Sequence, residues 1–375
     1  MTDFASRLKA LTSEPSRDTA ADPHRLARVE RTGDEMTGQG TAIRATLAAA
    51  SASIRDIAER ADRCAIDRIV IAGCGDSWFA GAAVRHALET MTGLPVEAAQ
   101  ALDFAAYGSS TANARTLAIG ISSGGNTPAV MKALQAVSAR GAFAVGISNT
   151  PDSPILTQFD AGLIVVATRK GWPTQSTSAT MALIAALGAE LRTDTGDPTM
   201  RDAIKAELSR LPDTMDRLCR DLDSQMRRVA ERFAASGLML FAGLGPNFAA
   251  AAIGAAKVRE LSPIHAYAIP IEEYHHYRSQ KAGDPLFLLA SDPASAERAL
   301  DTALVGQAVG GRIVAVLSES APDIEARVEE VVRIPATLPA LTALLSVVPL
   351  HLFAYHFAKA RAALQLGAPQ ALPGA

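Results

Sequence analysis

One pattern occurs twice in this chain. The run IVIAGCGDSWFAGAAVRHALE at residues 69–89 returns as LMLFAGLGPNFAAAAIGAAKVRE at 238–260, each time an apolar run, a Gly-x-Gly turn and a helix of small residues. Farther along, GAFAVGISNTPDSPI answers to GGRIVAVLSESAPDI, and TQSTSATMALIAALGAEL to LPALTALLSVVPLHLFAYHF, in the same order. A repeat of that length is an internal duplication of a domain-sized unit. Within each copy, short apolar runs such as RIVIAGCG, TLAIGISS, AFAVGISN and GLIVVAT alternate with Ala-rich helical stretches. Strands that read as unbroken apolar runs are covered on both faces, so the pattern predicts α/β lobes, each built on a parallel sheet with helices on both sides.

The boundaries follow from composition. Residues 1–40 are expected to form a mobile N-terminal arm, because 12–40 are rich in Ser, Thr, Asp, Pro and Gly. The first domain is placed at 41–200, a charged helical connector at 201–236, the second domain at 237–365 and a tail at 366–375. At 49% hydrophobic and 20% charged residues, both domains should fold. A formal net charge of −3 with dispersed Lys and Arg argues against a nucleic-acid partner. Three widely spaced cysteines, Cys64, Cys74 and Cys219, suggest neither a disulfide framework nor a zinc cluster. With no apolar leader segment, they point to the cytoplasm. The apolar stretch 340–358 contains Pro349, His351 and His356 and reads as a buried helix rather than a membrane span.

Three polar loops stand at predicted strand-to-helix switches. They are GCGDS (73–77), SSGGNT (122–127) and PTQSTSATM (173–181). A helix start presents free N–H groups and the positive end of its dipole, and glycine lets the backbone approach an anion closely. Each loop taken alone is equally a helix cap or a turn. Three in one lobe favour a phosphate, and the absence of Gly-Lys-Ser/Thr disfavours a nucleoside triphosphate. Hydroxyls and amides without a lysine suit a single phosphate monoester, with no cofactor or metal implied.

The sequences CGDS, SSGGNT and QSTSAT resemble the Cys-Gly-Thr-Ser, Ser-x-Ser-Gly-x-Thr and Ser-Thr loops of duplicated sugar isomerase (SIS) domains. The segment GAAKVRELSPIHAYAIPIEEYHHY, with its Lys-x-x-Glu, and the late VPLHLFAYH resemble the isomerase half of glucosamine-6-phosphate synthase. The resemblance runs from about residue 35 to 365. It implies two tandem SIS domains, each an αβα, Rossmann-like sandwich. It also implies a homodimer, with the active site shared between subunits, acting on a sugar 6-phosphate. Residue by residue, it places phosphate contacts on Ser77, Ser122, Ser123 and Thr127 and the sugar site at Ser176 and Thr177, with Gly124 and Gly125 in the phosphate loop. Glu260 becomes the general base and His276 the ring-opening acid/base, reaching into the neighbouring subunit. A structural Glu260 paired with Lys257 or Arg259 stays open, as does His275 in place of His276. His86, His351 and His356 read as packing residues.

Three departures qualify the transfer. The synthase's amidotransferase half is missing from this sequence, so glutamine-dependent synthesis by this chain alone is not expected. Gly124 replaces a family serine and removes one hydroxyl, for which backbone donation by Gly125 could compensate. The family's tail lysine has no counterpart in PQALPGA, where Gln370 and Gly374 stand at the tail's Arg and Lys positions. Chemistry would then rest on Glu260 and His276. That suits a phosphosugar isomerase or amino-sugar-phosphate deaminase, or a deglycase of phosphorylated fructose–amine conjugates. A non-catalytic sugar-phosphate-binding regulator is the reading from a different class.

Overall fold

The computed structural model describes residue 6 and residues 19–367. Helices α1 (Pro23–Met36) and α2 (Gln39–Arg63) lead into β1 (Arg68–Gly73), α3 (Asp76–Thr92), β2 (Val96–Gln100) and β3 (Thr116–Ile121). Then come α4 (Pro128–Ser138), β4 (Phe143–Ser148), β5 (Ala161–Ile164) and α5 (Gln175–Glu190). After the long α6 (Pro198–Phe233), the second lobe runs β6 (Leu238–Gly243), α7 (Pro246–Leu261), β7 (His265–Pro270), α8 (Ile271–Tyr277) and β8 (Pro285–Ala290). It closes with α9 (Pro293–Ala308), β9 (Arg312–Leu317), β10 (Glu330–Arg333) and α10 (Thr342–Gly367), leaving short one-turn helices unlabelled.

Both sheets have five parallel strands, in the orders β2-β1-β3-β4-β5 and β7-β6-β8-β9-β10. The duplication read from sequence is therefore a duplication of topology. It extends to the turns. Gly75 and Gly245 take nearly the same left-sided backbone, φ 55° and 53°, which glycine adopts without strain. A Cβ on Gly73 would lie 2.6 Å from the Ser77 carbonyl carbon, and one on Gly243 2.6 Å from that of Asn247. In both lobes the missing side chain lets a helix start close against the strand it follows.

One expectation changes and another is extended. The arm expected over 1–40 is instead helical over Pro23–Met36, capped by Asp22, whose Oδ1 accepts from Arg25 N at 2.9 Å. Its polar composition hid the helix, which is held by tertiary packing. A Cβ on Gly33 would stand 2.6 Å from the Tyr355 ring, so α1 lies tightly on α10. Residues 1–18, apart from 6, lie outside the described residues. The segment expected as a helical connector is helical and does more than join the lobes. Helix α6 runs unbroken through Pro212 and buries Ile204, Leu208, Leu211, Met215, Leu222, Met226 and Phe233 at helical spacing in a core shared by both lobes. Helix α10 is long and apolar enough to span a membrane, but 89% of its most apolar window is buried inside the protein. Among the described residues, the three cysteines are free thiols.

Candidate active site

In a sheet ordered 2-1-3-4-5, ligands bind beyond the carboxyl ends of the strands on either side of the switch in direction, here β1 and β3. The first lobe has a cavity of about 40 Å³ there, lined by Asp76, Ser77, Ser123, Ser148, Asn149, Ser176, Thr177 and Thr180. At about 10–15 Å³ per water it holds roughly three, comparable with the free oxygens of a phosphate monoester. A groove of about 870 Å³ runs along α10, beside Tyr355, His356 and Lys359, away from the sheet edge.

The SSGGNT loop is a tight turn that uses some of its donors and leaves others free. Ser122 Oγ and Thr127 Oγ1 are 2.7 Å apart, and Thr127 N donates to Ser122 Oγ at 3.2 Å. These two hydroxyls hold the loop shut from behind. Ser123 Oγ donates to Asn149 Oδ1 at 2.7 Å, and Asn149 Nδ2 in turn donates to the carbonyls of Val165 and Ala167, joining the ends of three strands. Gly125 cannot compensate for the missing serine hydroxyl, as its N–H donates to the Ser122 carbonyl at 2.9 Å. It is a turn residue, with φ 75° and a would-be Cβ 2.1 Å from Ser153 Oγ. The amides of Ser123, Gly124 and Asn126 have no acceptor among the described residues, which leaves a small nest of donors.

The second lobe's equivalent switch point is filled. Asn247, fully buried at the start of α7, bonds Asp292 and accepts from Ser291 Oγ at 2.7 Å and Ser346 Oγ at 3.0 Å. The protein's own side chains, one of them a carboxylate, occupy the place a phosphate would take. Of the two switch points, the first lobe's is the one that stays open among the described residues.

What the second lobe contributes is an acid. Helices α3 and α7 pack antiparallel through their small residues, which carries the end of α7 to the start of α3. Lys257 is wholly buried, with Nζ 2.6 Å from Asp76 Oδ2 and also bonded to Glu260 Oε2. Thr177 Oγ1 donates to the same Asp76 oxygen at 3.1 Å. A polar chain therefore runs Thr177–Asp76–Lys257–Glu260 from the first-lobe cavity to the second-lobe carboxylate. Burial pulls the Lys257 ammonium down, but Asp76 and Glu260 outweigh it and hold its pKa above the ordinary value. Burial, then the Asp76 charge, push the Glu260 carboxyl above the usual range, with Lys257 opposing. About a third of the Glu260 side chain stays open. Arg25 Nη1 donates to the Glu260 carbonyl at 2.6 Å, placing a cation at the negative end of α7.

His276 is exposed on α8, its Nε2 3.8 Å from Glu272 Oε1. Arg298 grips Glu272 at 2.6 and 2.7 Å, fixing the carboxylate beside that ring. His275 Nε2 instead lies 3.0 Å from Thr302 Oγ1 inside its own lobe. The three packing histidines are all partnered: His86 with Glu89 at 3.0 Å, His351 with Gln39 at 3.2 Å and His356 with Asp223 at 2.7 Å.

Of the residues singled out in the sequence, Ser77, Ser123, Ser176 and Thr177 line the cavity, while Ser122, Gly125 and Thr127 shape its loop. Gly124 is exposed on that loop, Glu260 joins through Lys257, and His276 stands apart. Sequence reading missed Asp76, Ser148 and Asn149, which line the cavity. Asp76 had a signal, since CGDS departs from Cys-Gly-Thr-Ser at that position.

A family model described as the SIS domain matches residues 64–189. The glutamine–fructose-6-phosphate aminotransferase (isomerizing) of Gloeobacter violaceus is 32% identical over 323 residues, covering 82% of this chain and 51% of the relative. The chain thus spans about half the length of the curated relatives it matches. Among solved structures, the C-terminal domain of glucosamine-fructose-6-phosphate aminotransferase from Francisella tularensis superposes with a TM-score of 0.73 at 21% identity, over 88% of this chain and 96% of that one. The tagatose-6-phosphate ketose/aldose isomerase of Escherichia coli gives 0.73 at 18% identity, over 90% and 93%. Repeated topology, switch-point loops and relatives agree: the chain belongs to the SIS family, as a two-lobed homologue of the isomerase half of the glutamine–fructose-6-phosphate aminotransferases.

Proposed function

We propose that this chain is a phosphosugar isomerase or amino-sugar-phosphate deaminase that moves a proton between C1 and C2 of an open-chain sugar 6-phosphate. The observation that carries the reading is the polar chain from Thr177 to Glu260, which ties a donor-lined, phosphate-sized cavity to a carboxylate of raised pKa. The nest and Ser77 hold the phosphate. Ser176 and Thr177 line the sugar. Glu260 takes the proton from one carbon as the enediol or enamine forms and returns it to the next, a task suited to a carboxylate whose proton affinity is raised. Lys257 keeps that carboxylate aimed and charged enough to act.

Ring opening falls to His276 of a second copy. Its exposure supports this, as do the neighbouring exposed Tyr267 and Tyr277 on the β7 edge and α8, which offer apolar area to a partner. Three free thiols fit a reducing cytoplasm.

The test is exchange of solvent deuterium into C1 or C2 of fructose 6-phosphate or glucosamine 6-phosphate. Glu260→Gln is expected to abolish exchange with affinity largely kept. A wild-type chain that binds these sugars without exchange is a regulator, and the catalytic reading fails. Mixing inactive Glu260→Gln and His276→Asn chains should restore up to about one quarter of wild-type activity, since re-paired dimers regain one intact site.

A further inference from the structure

We propose that Arg169 is the cationic member of the phosphate subsite, filling the place of the side chain that Gly124 lacks. The inference rests on the phosphosugar reading above and adds to it a charged residue outside the three loops.

A phosphate monoester brings a charge of about −1.5 to −2 at neutral pH, whereas the SSGGNT loop offers only neutral donors. A Cβ built on Gly124 would meet nothing closer than Asn126 Oδ1 at 3.6 Å, and next Arg169 Nη1 at 4.0 Å. The guanidinium therefore stands beside the position from which a residue-124 side chain would project, next to the free amides. Arg169 is exposed and, among the described residues, has no carboxylate within ion-pair distance.

Its backbone is held on both sides. Buried Glu35 of α1 accepts from Thr168 Oγ1 at 2.6 Å, Lys170 N at 2.7 Å and Gly171 N at 3.0 Å. Thr32 Oγ1 accepts from Trp172 N at 2.9 Å, and a Cβ on Gly171 would lie 2.5 Å from the Thr32 backbone. The loop backbone is clamped against α1 while the Arg169 side chain stays exposed. Arg28, over the Trp172 ring at 4.3 Å, adds a second positive charge within electrostatic reach of Arg169. Glu260 and Glu35 also act on Arg28, which leaves Arg169, with no carboxylate partner of its own among the described residues, as the guanidinium placed to meet an anion. A planar fork of donors also suits phosphate oxygens geometrically.

The test is calorimetric titration of the full chain with inorganic phosphate and with fructose 6-phosphate. Arg169→Met, a change at an exposed side chain, should keep the wild-type Tm and weaken fructose 6-phosphate binding by about ten- to a hundredfold. It should also flatten the loss of affinity on adding salt. Adding Gly124→Ser to that variant should recover several-fold, because the new hydroxyl has room. Binding by Arg169→Met within twofold of wild type, or a double variant no tighter than Arg169→Met, overturns the inference while leaving the phosphosugar reading intact. If the wild-type chain takes up neither probe, that reading fails and this one with it.

Discussion

Lys257→Met tests the charged hinge between the lobes. Methionine keeps most of the volume of the lysine stem, so the main loss is the ammonium shared by Asp76 and Glu260. Breaking a buried ion pair by removing one partner typically costs about 3–5 kcal/mol, because the other partner is left uncompensated. The Lys257 side chain is 0% exposed and Asp76 12%, but Glu260 keeps 33% in contact with water, which favours the lower end, about 3 kcal/mol. For 375 residues the unfolding entropy is about 0.8 kcal/mol per kelvin. The expected drop in Tm is then about 4 °C. The pH dependence identifies the cause. Without Lys257, the Glu260 carboxyl loses the charge that opposes its upward shift, and its folded-state pKa rises farther above the unfolded one. The native state then binds the extra proton, so the deficit against wild type is largest near neutrality and shrinks as pH falls toward 5. A triple variant, Asp76→Asn, Lys257→Met and Glu260→Gln, removes every charge and should recover most of the loss. Differential scanning calorimetry of the three proteins between pH 5 and 8 measures all of this. A pH-independent deficit that the triple variant fails to relieve would show that the lysine stem's packing, and not its charge, holds the lobes, and the reasoning would be wrong.

Other perturbations probe the site more locally. Gly125→Ala forces a Cβ onto Ser153 in a left-handed backbone and should cost about 1–3 kcal/mol and most phosphosugar affinity, measured by thermal shift and titration. With Glu260 held above the ordinary carboxylate range by burial and then Asp76, the acidic limb of kcat/KM should lie above pH 4.5, since the base must be ionised. Asp76→Asn removes the second of these causes and should move that limb to lower pH; an unmoved or raised limb would exclude the coupling. His275→Ala should lose about 1 kcal/mol of stability through its Thr302 bond with little effect on turnover. His276→Ala should do the reverse, seen by comparing Tm with exchange rate.

Much of the architecture was legible because it is encoded over short distances. Strand composition in RIVIAG, TLAIGI and FAVGIS, helix periodicity and the Gly-x-Gly turns depend on residues a few positions apart, and the repeat showed that the two lobes share one plan. The SSGGNT loop was legible too, as a place where a strand must become a helix. Its donors could not be assigned from sequence, because which hydroxyl closes the turn and which faces out depends on Asn149 and Ser153 from neighbouring strands.

Tertiary structure alone decided the rest. Helix α1 looked irregular because its stability comes from α10 and the Arg169 loop rather than from its own residues. The equivalence of the two lobes ends at their switch points, where Asn247, Asp292 and Ser346 fill one and leave the other open. Glu260 read from the sequence as a base, with pairing to Lys257 or Arg259 as the alternative; the Lys257 pairing is present, and it links Glu260 to the cavity. By itself, the sequence determined the central strands, most of the helices and where phosphate-type turns fall, since hydrogen-bonding periodicity is local. Only the packing of α3 on α7 brought Asp76 to Lys257, because electrostatic pairing depends on distance in space and not on distance along the chain.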